Sequence, residues 1–409
     1  MGKASRGKRQ RSRDRGGEWT AGKAAVKASR MRADTLRNLA GNPWVRLNVA
    51  GNTQNTLSDM YQVVLNSDAP RNAEWDMTCS LVLGKLGRRP PWPSSPEVAA
   101  DWQLAQYLDV VQTAELMVIS PSAHASVMAA AATLEPGDLS TLSRDRDVVV
   151  PCGFLVLPEP VVCVNRIGSL SDTVAYGWQF ITQHQVLPTA QYAGVRISTY
   201  MDRDGPVQPE EWRAAMAYAS ASGNPLPRLV PDGMYGMRGD AAARTTDDGF
   251  VDLLTEKHKQ IQTALTQASA RRAEPVADTG EWAGGHVEDP HDDFACRYMF
   301  AFWRLVAQGV TTTQPLTGPP SNQRTIRDPH DPDVRVVRLT QQVPAQRLAE
   351  EGEEKQVRTY HHRWPVRMHK VRQWYPSAQE HRLIWRGPYI KGPADAPLML
   401  GEKVYVADH

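Results

Sequence analysis

Apolar side chains recur at helical intervals through the first third of the chain. Within Glu97–Ile119 they stand three positions apart, so they line one face of a helix that Pro96 is well placed to begin. The alanine-rich segment Ser122–Leu134 keeps this helical character until a Pro-Gly pair ends it. The pattern therefore predicts that residues 57–134 are mainly helical.

Strand character replaces this pattern between residues 148 and 201. Short β-branched or apolar runs alternate there with proline and glycine, which is typical of strands joined by turns. The predicted strands are Val148–Val150, Phe154–Leu157, Val161–Val164, Val174–Ile181 and Val195–Tyr200. We expect them to form a small antiparallel sheet, followed by a helix over Pro209–Ser222 with an acidic first turn.

Helices and strands are mixed in the last part of the chain. We expect a polar helix over Phe250–Arg272 and a strongly apolar, buried helix over Phe294–Gln308. Further strands are predicted at Val334–Thr340, Gln356–Trp364, Val366–Trp374, Arg382–Ile390 and Lys403–Val406. The fold class predicted from these elements is α+β, with a helical N-terminal part, a central small antiparallel sheet and a C-terminal module of helix plus antiparallel sheet.

The elements divide the chain into four regions. Residues 1–39 form a basic and largely disordered tail, because the first twenty positions hold too few apolar side chains to offset the entropy of ordering. A short basic helix over Ala21–Leu39 is compatible with the composition of that tail. Residues 40–140 form a helical region, 141–246 an antiparallel sheet with a helix, and 247–409 helices followed by a basic, aromatic-rich sheet.

The length and composition favour a soluble protein. A chain of 409 residues, 41% hydrophobic and 22% charged, is long enough to bury a sizeable core and is unlike a fibrous or wholly disordered chain. The apolar run Val148–Asn165 contains a glutamate and three prolines and is too short and too broken to cross a membrane, and no apolar segment follows the basic N-terminus. We expect a cytoplasmic protein without a membrane partner, while its oligomeric state stays open.

Positive charge is concentrated at the two ends. The first 39 residues hold twelve basic and three acidic side chains, a net charge of +9, and residues 355–409 carry a net charge of +6. The region between them is acidic, at −13, although the whole chain is nearly neutral at +2. Basic ends attract polyanions, so we expect nucleic acid as the partner, bound as a single strand or through its backbone. An acidic protein partner is the alternative.

No cofactor is expected from the motifs of the chain. GxGxxG, Walker A, HExxH and GxSxG patterns are all missing from the sequence. The four cysteines are too scattered to form a zinc site, so we expect reduced thiols, with a bridge between Cys152 and Cys163 as the alternative.

Two short Asp-Pro-His elements, at 289–293 and 328–333, hold enough carboxylates and imidazoles to bind a divalent cation. Turn and helix-entry chemistry explains the same residues, with Asp292 or Asp293 as the N-cap of the helix that follows. We favour the turns and predict no metal site.

Basic and aromatic residues interleave in the C-terminal region, as they do on surfaces that pair with phosphates and stack on bases. The side chains that we expect to contact nucleic acid are Arg363, Arg367, Arg372, Trp374, Arg382, Trp385, Arg386 and Lys391. A second interpretation is a metal-independent, ribonuclease-like toxin in which His369 and His381 share the acid and base roles, with Arg367 or Arg382 beside the phosphate. A third is a structural or protein-interaction module in which the tryptophans form a small core with a charged rim.

This region resembles the C-terminal parts of proteins from GC-rich Gram-positive bacteria and from their phages and plasmids. The pattern consists of Trp364, Val366-Arg367, His369, Arg372-Gln373-Trp374-Tyr375-Pro376-Ser377, His381-Arg382, Ile384-Trp385 and Pro388-Tyr389-Ile390-Lys391-Gly392-Pro393. That family has no established activity, so the resemblance implies an origin in a mobile element and no catalytic residues. We therefore expect a non-enzymatic, nucleic-acid-associated protein.

Overall fold

The computed structural model of the protein describes a set of ranges separated by gaps. These ranges are residues 19–66, 74–83, 90–148, 150–165, 170–187, 190–205, 207–208, 210–223, 227–238, 285–307, 311–315, 334–339, 361–375, 379–393 and 396–398. The tail up to residue 18, the helix expected over Phe250–Arg272 and the strand expected over Lys403–Val406 lie outside them, as does most of Gln356–Trp364. Within them the mixture of helices and strands confirms the predicted α+β class.

Four helices stand at the start of the described chain. They are α1 (Ala21–Gly41), α2 (Pro43–Leu65), α3 (Glu74–Leu83) and α4 (Pro96–Thr113). The break between α1 and α2 has a local cause, because the side chain of Asn42 accepts a hydrogen bond from the N–H of Trp44 at 2.9 Å and Pro43 occupies the first turn. The helical N-terminal part is thus confirmed, and α1 is the basic helix that the composition allows.

An eight-stranded sheet forms the centre of the described protein. Its strands are β1 (Glu115–Ile119), β2 (Cys152–Asn165), β3 (Leu170–Leu187), β4 (Ala190–Asp202), β5 (Leu229–Arg238), β6 (Val287–Asp289), β7 (Thr311–Pro315) and β8 (Arg335–Leu339). They lie in the order β5-β4-β3-β2-β1-β8-β7, with β6 beside the carboxyl end of β2. Strands β2 to β5 are antiparallel, as predicted, whereas β1 runs parallel to both β2 and β8.

The sheet is larger than the small antiparallel sheet that the sequence predicts, and it is mixed. It takes β1 from the region 40–140, β2 to β5 from 141–246, and β6 to β8 from 247–409. Backbone hydrogen bonds of one sheet therefore cross the boundaries between these predicted regions. Pairing between strands that are distant in sequence leaves no local pattern. The apolar runs of the sequence therefore predicted only the smaller sheet of neighbouring strands.

Strand β1 replaces the last turn and a half of the helix predicted through Ile119. Leu116 and Val118 pack into the core on one face of the sheet. Met117 and Ile119 pack into the core on the other face. A strand buried on both faces is apolar throughout, and a short apolar run does not distinguish such a strand from a buried helix.

The runs predicted as two strands, Phe154–Leu157 and Val161–Val164, belong to the single strand β2. Its pairing with β3 shifts register between Val156 and Val161. Two prolines lie in that interval, and proline fits such irregularities because it has no N–H to donate to a neighbouring strand.

Helices cover both faces of the sheet. The remaining helices are α5 (Pro121–Ala131), the short α6 (Arg144–Asp147), α7 (Glu210–Ala221) and α8 (Phe294–Ala307). Helices α1 to α4 pack on one face, in a core that includes Phe154 and Tyr200. Helices α5 and α8 pack on the other, in a core that includes Trp178 and Trp303. The helix predicted over Pro209–Ser222 is α7, and the buried apolar helix is α8.

A buried histidine connects the two helices of the second face. Nδ1 of His124 in α5 lies 2.7 Å from the hydroxyl of Tyr298 in α8. Burial lowers the pKa of His124 to about 4, so its imidazole is neutral at neutral pH. Its role is to satisfy two polar groups inside the core.

The C-terminal strands form two short antiparallel pairs outside the large sheet. Strands β9 (Trp364–Val366) and β12 (Tyr389–Lys391) form one pair, and β10 (His369–Tyr375) and β11 (Glu380–Arg386) form the other. The strands predicted over Val366–Trp374 and Arg382–Ile390 are each interrupted once between these pairs. Among the described helices, none combines the length and apolar character needed to cross a bilayer.

Candidate nucleic-acid interface

The pair β10–β11, called the ribbon from here on, is connected to helix α8 through Arg304. Nε of Arg304 in α8 donates to the carbonyl oxygen of Gly387 at 3.1 Å, and a terminal nitrogen of its guanidinium lies 3.4 Å from the carbonyl oxygen of Trp385. The same guanidinium pairs with the carboxylate of Asp147 in α6 at 2.7 Å. Because this ion pair is largely buried, it fixes where the ribbon leaves the helical layer.

The register of the ribbon decides which side chains share a face. Lys370 stands opposite Trp385, Arg372 opposite Leu383, and Trp374 opposite His381. Directly opposed residues lie on the same side of an antiparallel pair, and every second residue of a strand returns to that side. One side of the ribbon, called the tryptophan face, therefore carries Lys370, Arg372, Trp374, His381 and Trp385, and all of them are exposed.

The aromatic rings of the tryptophan face are open to solvent and lie beside cationic or imidazole groups. Trp374 is 46% exposed and Trp385 is 40% exposed, which is unusual for so large an apolar side chain. Nζ of Lys370 lies 5.1 Å from the ring centroid of Trp385, and the rings of Trp374 and His381 meet edge-on at 4.9 Å. The tryptophan positions are four residues apart along the ribbon, a spacing of ~13 Å. The face thus offers two separated stacking surfaces with positive charge between them.

On the opposite side of the ribbon, two side chains contact each other across the strands. This side carries His369, Val371, Gln373 and Arg386, together with the position of Arg382. A terminal nitrogen of Arg386 donates to the side-chain oxygen of Gln373 at 3.0 Å. Arg372 and Arg386, both expected to contact nucleic acid, therefore lie on opposite sides of the ribbon.

The three remaining predicted contact residues lie near the base of the ribbon. Nε of Arg363 donates to the carbonyl oxygen of Ala396 at 2.8 Å, so this guanidinium supports the local backbone. Arg367 is exposed and lies 3.8 Å from Glu135. Lys391 lies 5.8 Å from the ring centroid of Trp364.

The two histidines of the ribonuclease-like interpretation are not brought together. His369 stands opposite Arg386 and His381 opposite Trp374, so they occupy opposite sides of the ribbon. The two pairs are five residues apart, which is ~17 Å along a strand. Nδ1 of His369 also donates to the carbonyl oxygen of Arg367 at 3.0 Å. One phosphodiester cannot contact both imidazoles in this arrangement, as shared acid and base roles require.

The first Asp-Pro-His element forms the start of α8. The carboxylate of Asp289 accepts hydrogen bonds from the N–H groups of Asp293 and Phe294, at 3.1 and 3.0 Å. Arg297 then pairs with Asp289 at 3.0 Å and with Asp293 at 2.8 Å. The capping carboxylate is thus Asp289 rather than the expected Asp292 or Asp293. The second element, 328–333, lies outside the described residues, and the described ranges contain no group of three or more potential metal ligands.

All four cysteines are free. Cys152 and Cys163 stand at opposite ends of β2, so the hairpin that would bring them together does not exist. Burial raises the pKa of Cys79 and of Cys163 to about 12 in each case, which keeps both thiols protonated.

A second basic surface lies on α1, far from the ribbon in sequence. Lys23, Lys27 and Arg30 follow one another at helical spacing on its outer side, and all are exposed. We call these three residues the α1 stripe. They line a groove of about 670 Å³ together with other residues that include Val26 and Arg228.

The structure gives the positions of two basic residues that were not among the expected contacts. Arg32 belongs to the basic N-terminal region, yet it is buried and donates to the carbonyl oxygens of Ala114 and Gln112 at 3.0 and 2.7 Å. It therefore secures the end of α4 instead of facing a partner. Lys370 was not among the expected contacts, although its spacing of four from Trp374 is the signal that places it on the same face.

Comparisons with protein families, with curated proteins and with solved structures return no match to this chain. Its function is therefore inferred from the ribbon and the α1 stripe themselves.

Proposed function

We propose that the protein is a non-enzymatic, nucleic-acid-associated protein whose tryptophan face binds unpaired bases. The observation that supports this proposal most directly is the shared, exposed side of Trp374, Trp385, Lys370 and Arg372. Tryptophan side chains are seldom left so exposed, and exposed apolar patches mark binding surfaces.

Unpaired nucleic acid fits this chemistry better than duplex does. Bases of a single strand are free to stack on indole rings, with a gain of ~1–3 kcal/mol for each base, whereas paired bases hide their faces. Lys370 and Arg372 supply positive charge that attracts the phosphates of the strand. The tryptophan spacing leaves room between two stacked bases for at least one further nucleotide.

A binding assay on the full chain tests the proposal. Fluorescence anisotropy of a labelled single strand should show that Trp374→Ala/Trp385→Ala weakens binding by at least about fivefold, since the loss of even one stacked base is worth ~1–3 kcal/mol. Trp44→Ala is the control, because this ring is 38% exposed on α2 and should not affect binding. Unchanged affinity of the double variant would contradict the proposal.

The two arginines on opposite sides of the ribbon give a matched charge comparison. Arg372→Gln should weaken single-strand binding and lower its salt dependence, because it removes a cation from the tryptophan face. Arg386→Gln removes the same charge from the side where the guanidinium already contacts Gln373, and it should have little effect. Equal losses in both variants would show that charge alone, and not the tryptophan face, determines binding.

A further inference from the structure

The α1 stripe presents cations without a described counter-charge. Lys23, Lys27 and Arg30 form no ion pair with any acid in the described ranges. The nearby carboxylate of Asp34 is turned to other groups, since it lies 3.9 Å from Arg37 and accepts a hydrogen bond from the backbone N–H of Arg228. The stripe is thus a row of free positive charges along one side of a helix, complementary to a row of phosphates.

The α1 stripe and the ribbon lie on different sides of the central sheet. Helix α1 packs in the core that contains Phe154 and Tyr200. The ribbon is anchored through Arg304 of α8, which packs in the core on the opposite face. The sheet therefore lies between the helix that carries the stripe and the helix that anchors the ribbon, and a helix–sheet–helix arrangement of this kind is ~30 Å thick.

One short segment of nucleic acid does not reach both surfaces. Duplex DNA has a persistence length of ~150 base pairs, so it does not bend around the edge of a body of this size without a large cost in free energy. The chemistry of the two surfaces also differs. The stripe offers cations on a helix and suits a phosphate backbone, whereas the tryptophan face offers rings and suits unpaired bases.

We infer that one molecule of this protein holds two separate nucleic-acid segments at once, with a duplex backbone on the α1 stripe and a single strand on the tryptophan face. The second half of this inference rests on the proposed function, and the first half depends only on the stripe. The protein would then act as a bridge between two segments.

Energy transfer between two labelled probes tests the inference. A donor-labelled single strand and an acceptor-labelled duplex of unrelated sequence are mixed with the full chain, and the mass of the complex is measured in parallel. We expect energy transfer in a complex that contains one protein molecule and both probes. Lys23→Gln/Lys27→Gln should abolish transfer, weaken duplex binding and reduce its salt slope by about 2, because each phosphate contact contributes ~0.9. It should leave single-strand binding intact.

Two further variants separate the possible failures. Arg46→Gln/Arg213→Gln removes the same charge from exposed positions on α2 and α7, and it should preserve transfer. Trp374→Ala/Trp385→Ala should abolish transfer while duplex binding stays unchanged. Duplex binding that survives loss of the stripe lysines overturns the bridge, as does a complex with two protein molecules or with only one probe. If instead the tryptophan variant still binds the single strand, the proposed function fails, whatever happens at the stripe.

Discussion

Asp172 is a buried carboxyl group that the protein satisfies only in part. Its side chain is almost inaccessible, at 1% exposure. One carboxyl oxygen accepts a hydrogen bond from Gln208 at 3.0 Å, while the other has no hydrogen-bond partner in the described ranges. Burial, reinforced by the charges of Asp202 and Asp232, raises the pKa of Asp172 to about 7.

The raised pKa of Asp172 predicts that the protein loses stability as the pH rises from about 4 to about 7. The unfolded carboxyl group ionises near pH 4, so between about pH 4 and pH 7 the folded protein keeps a proton that the unfolded chain has lost. The contribution of Asp172 to the free energy of unfolding is therefore fully present below about pH 4. It is lost as the pH rises through about 7, and the loss is at most about 4 kcal/mol. The side chain of Asp172→Asn does not ionise. The variant should therefore unfold at a higher urea concentration than the wild type at about pH 8, with little difference at about pH 4.

A matched carboxylate provides the control for this experiment. Asp145 is 67% exposed, and Asp145→Asn should shift the urea midpoint little at either pH. Parallel pH profiles for the wild type and Asp172→Asn would show that the buried carboxyl group does not control stability.

The path of the chain at the base of the ribbon depends on Gly387. Gly387 has a φ of +97°, in the left-handed region that side chains disfavour. A β-carbon at this position would also lie 2.9 Å from the carbonyl oxygen of Arg367, which is too close. This glycine thus allows the sharp turn that connects β11 to β12.

Gly387→Ala should therefore loosen the ribbon while the large sheet stays intact. Strain at such a position costs ~1–3 kcal/mol, and the carbonyl of residue 387 is also the one that Arg304 binds. We expect faster hydrogen exchange over residues 369–386 and weaker single-strand binding, with unchanged exchange in β2 to β4. Gly285→Ala is the control, because a β-carbon there meets nothing within 4 Å. Unchanged exchange in the ribbon would refute the role of this turn.

At the scale of the whole molecule, one sheet links two cores that lie on its opposite faces. Strand β1 contributes Leu116 to the first core and Ile119 to the second, and both side chains are fully buried. Because the strand is shared, loss of packing on either face removes support from the same backbone ladder.

The shared strand predicts that both cores unfold together. Leu116→Ala and Ile119→Ala should each cost ~2–5 kcal/mol, and each should shift one common transition, seen at the same temperature by far-ultraviolet circular dichroism and by tryptophan fluorescence. Two separate transitions, of which each variant moves only one, would mean that the cores are independent domains.

The sequence by itself determined the helices and much of the strand content. The helix start at Pro96, the helical spacing through α4 and the apolar character of α8 are local signals, because helix starts and amphipathic faces involve residues only a few positions apart. The basic-aromatic composition of the C-terminal region, and with it the candidate partner, is also visible without a structure.

Only the tertiary structure decided which of these residues lie together. It turned the end of a predicted helix into β1, buried Arg32 against α4, and placed Lys370 beside Trp385 while it moved Arg386 to the other side of the ribbon. The reason is the period of a strand, since a change of one residue in register transfers every side chain to the opposite face. Register and sheet order depend on pairing between residues far apart in the chain, and no local pattern contains that information.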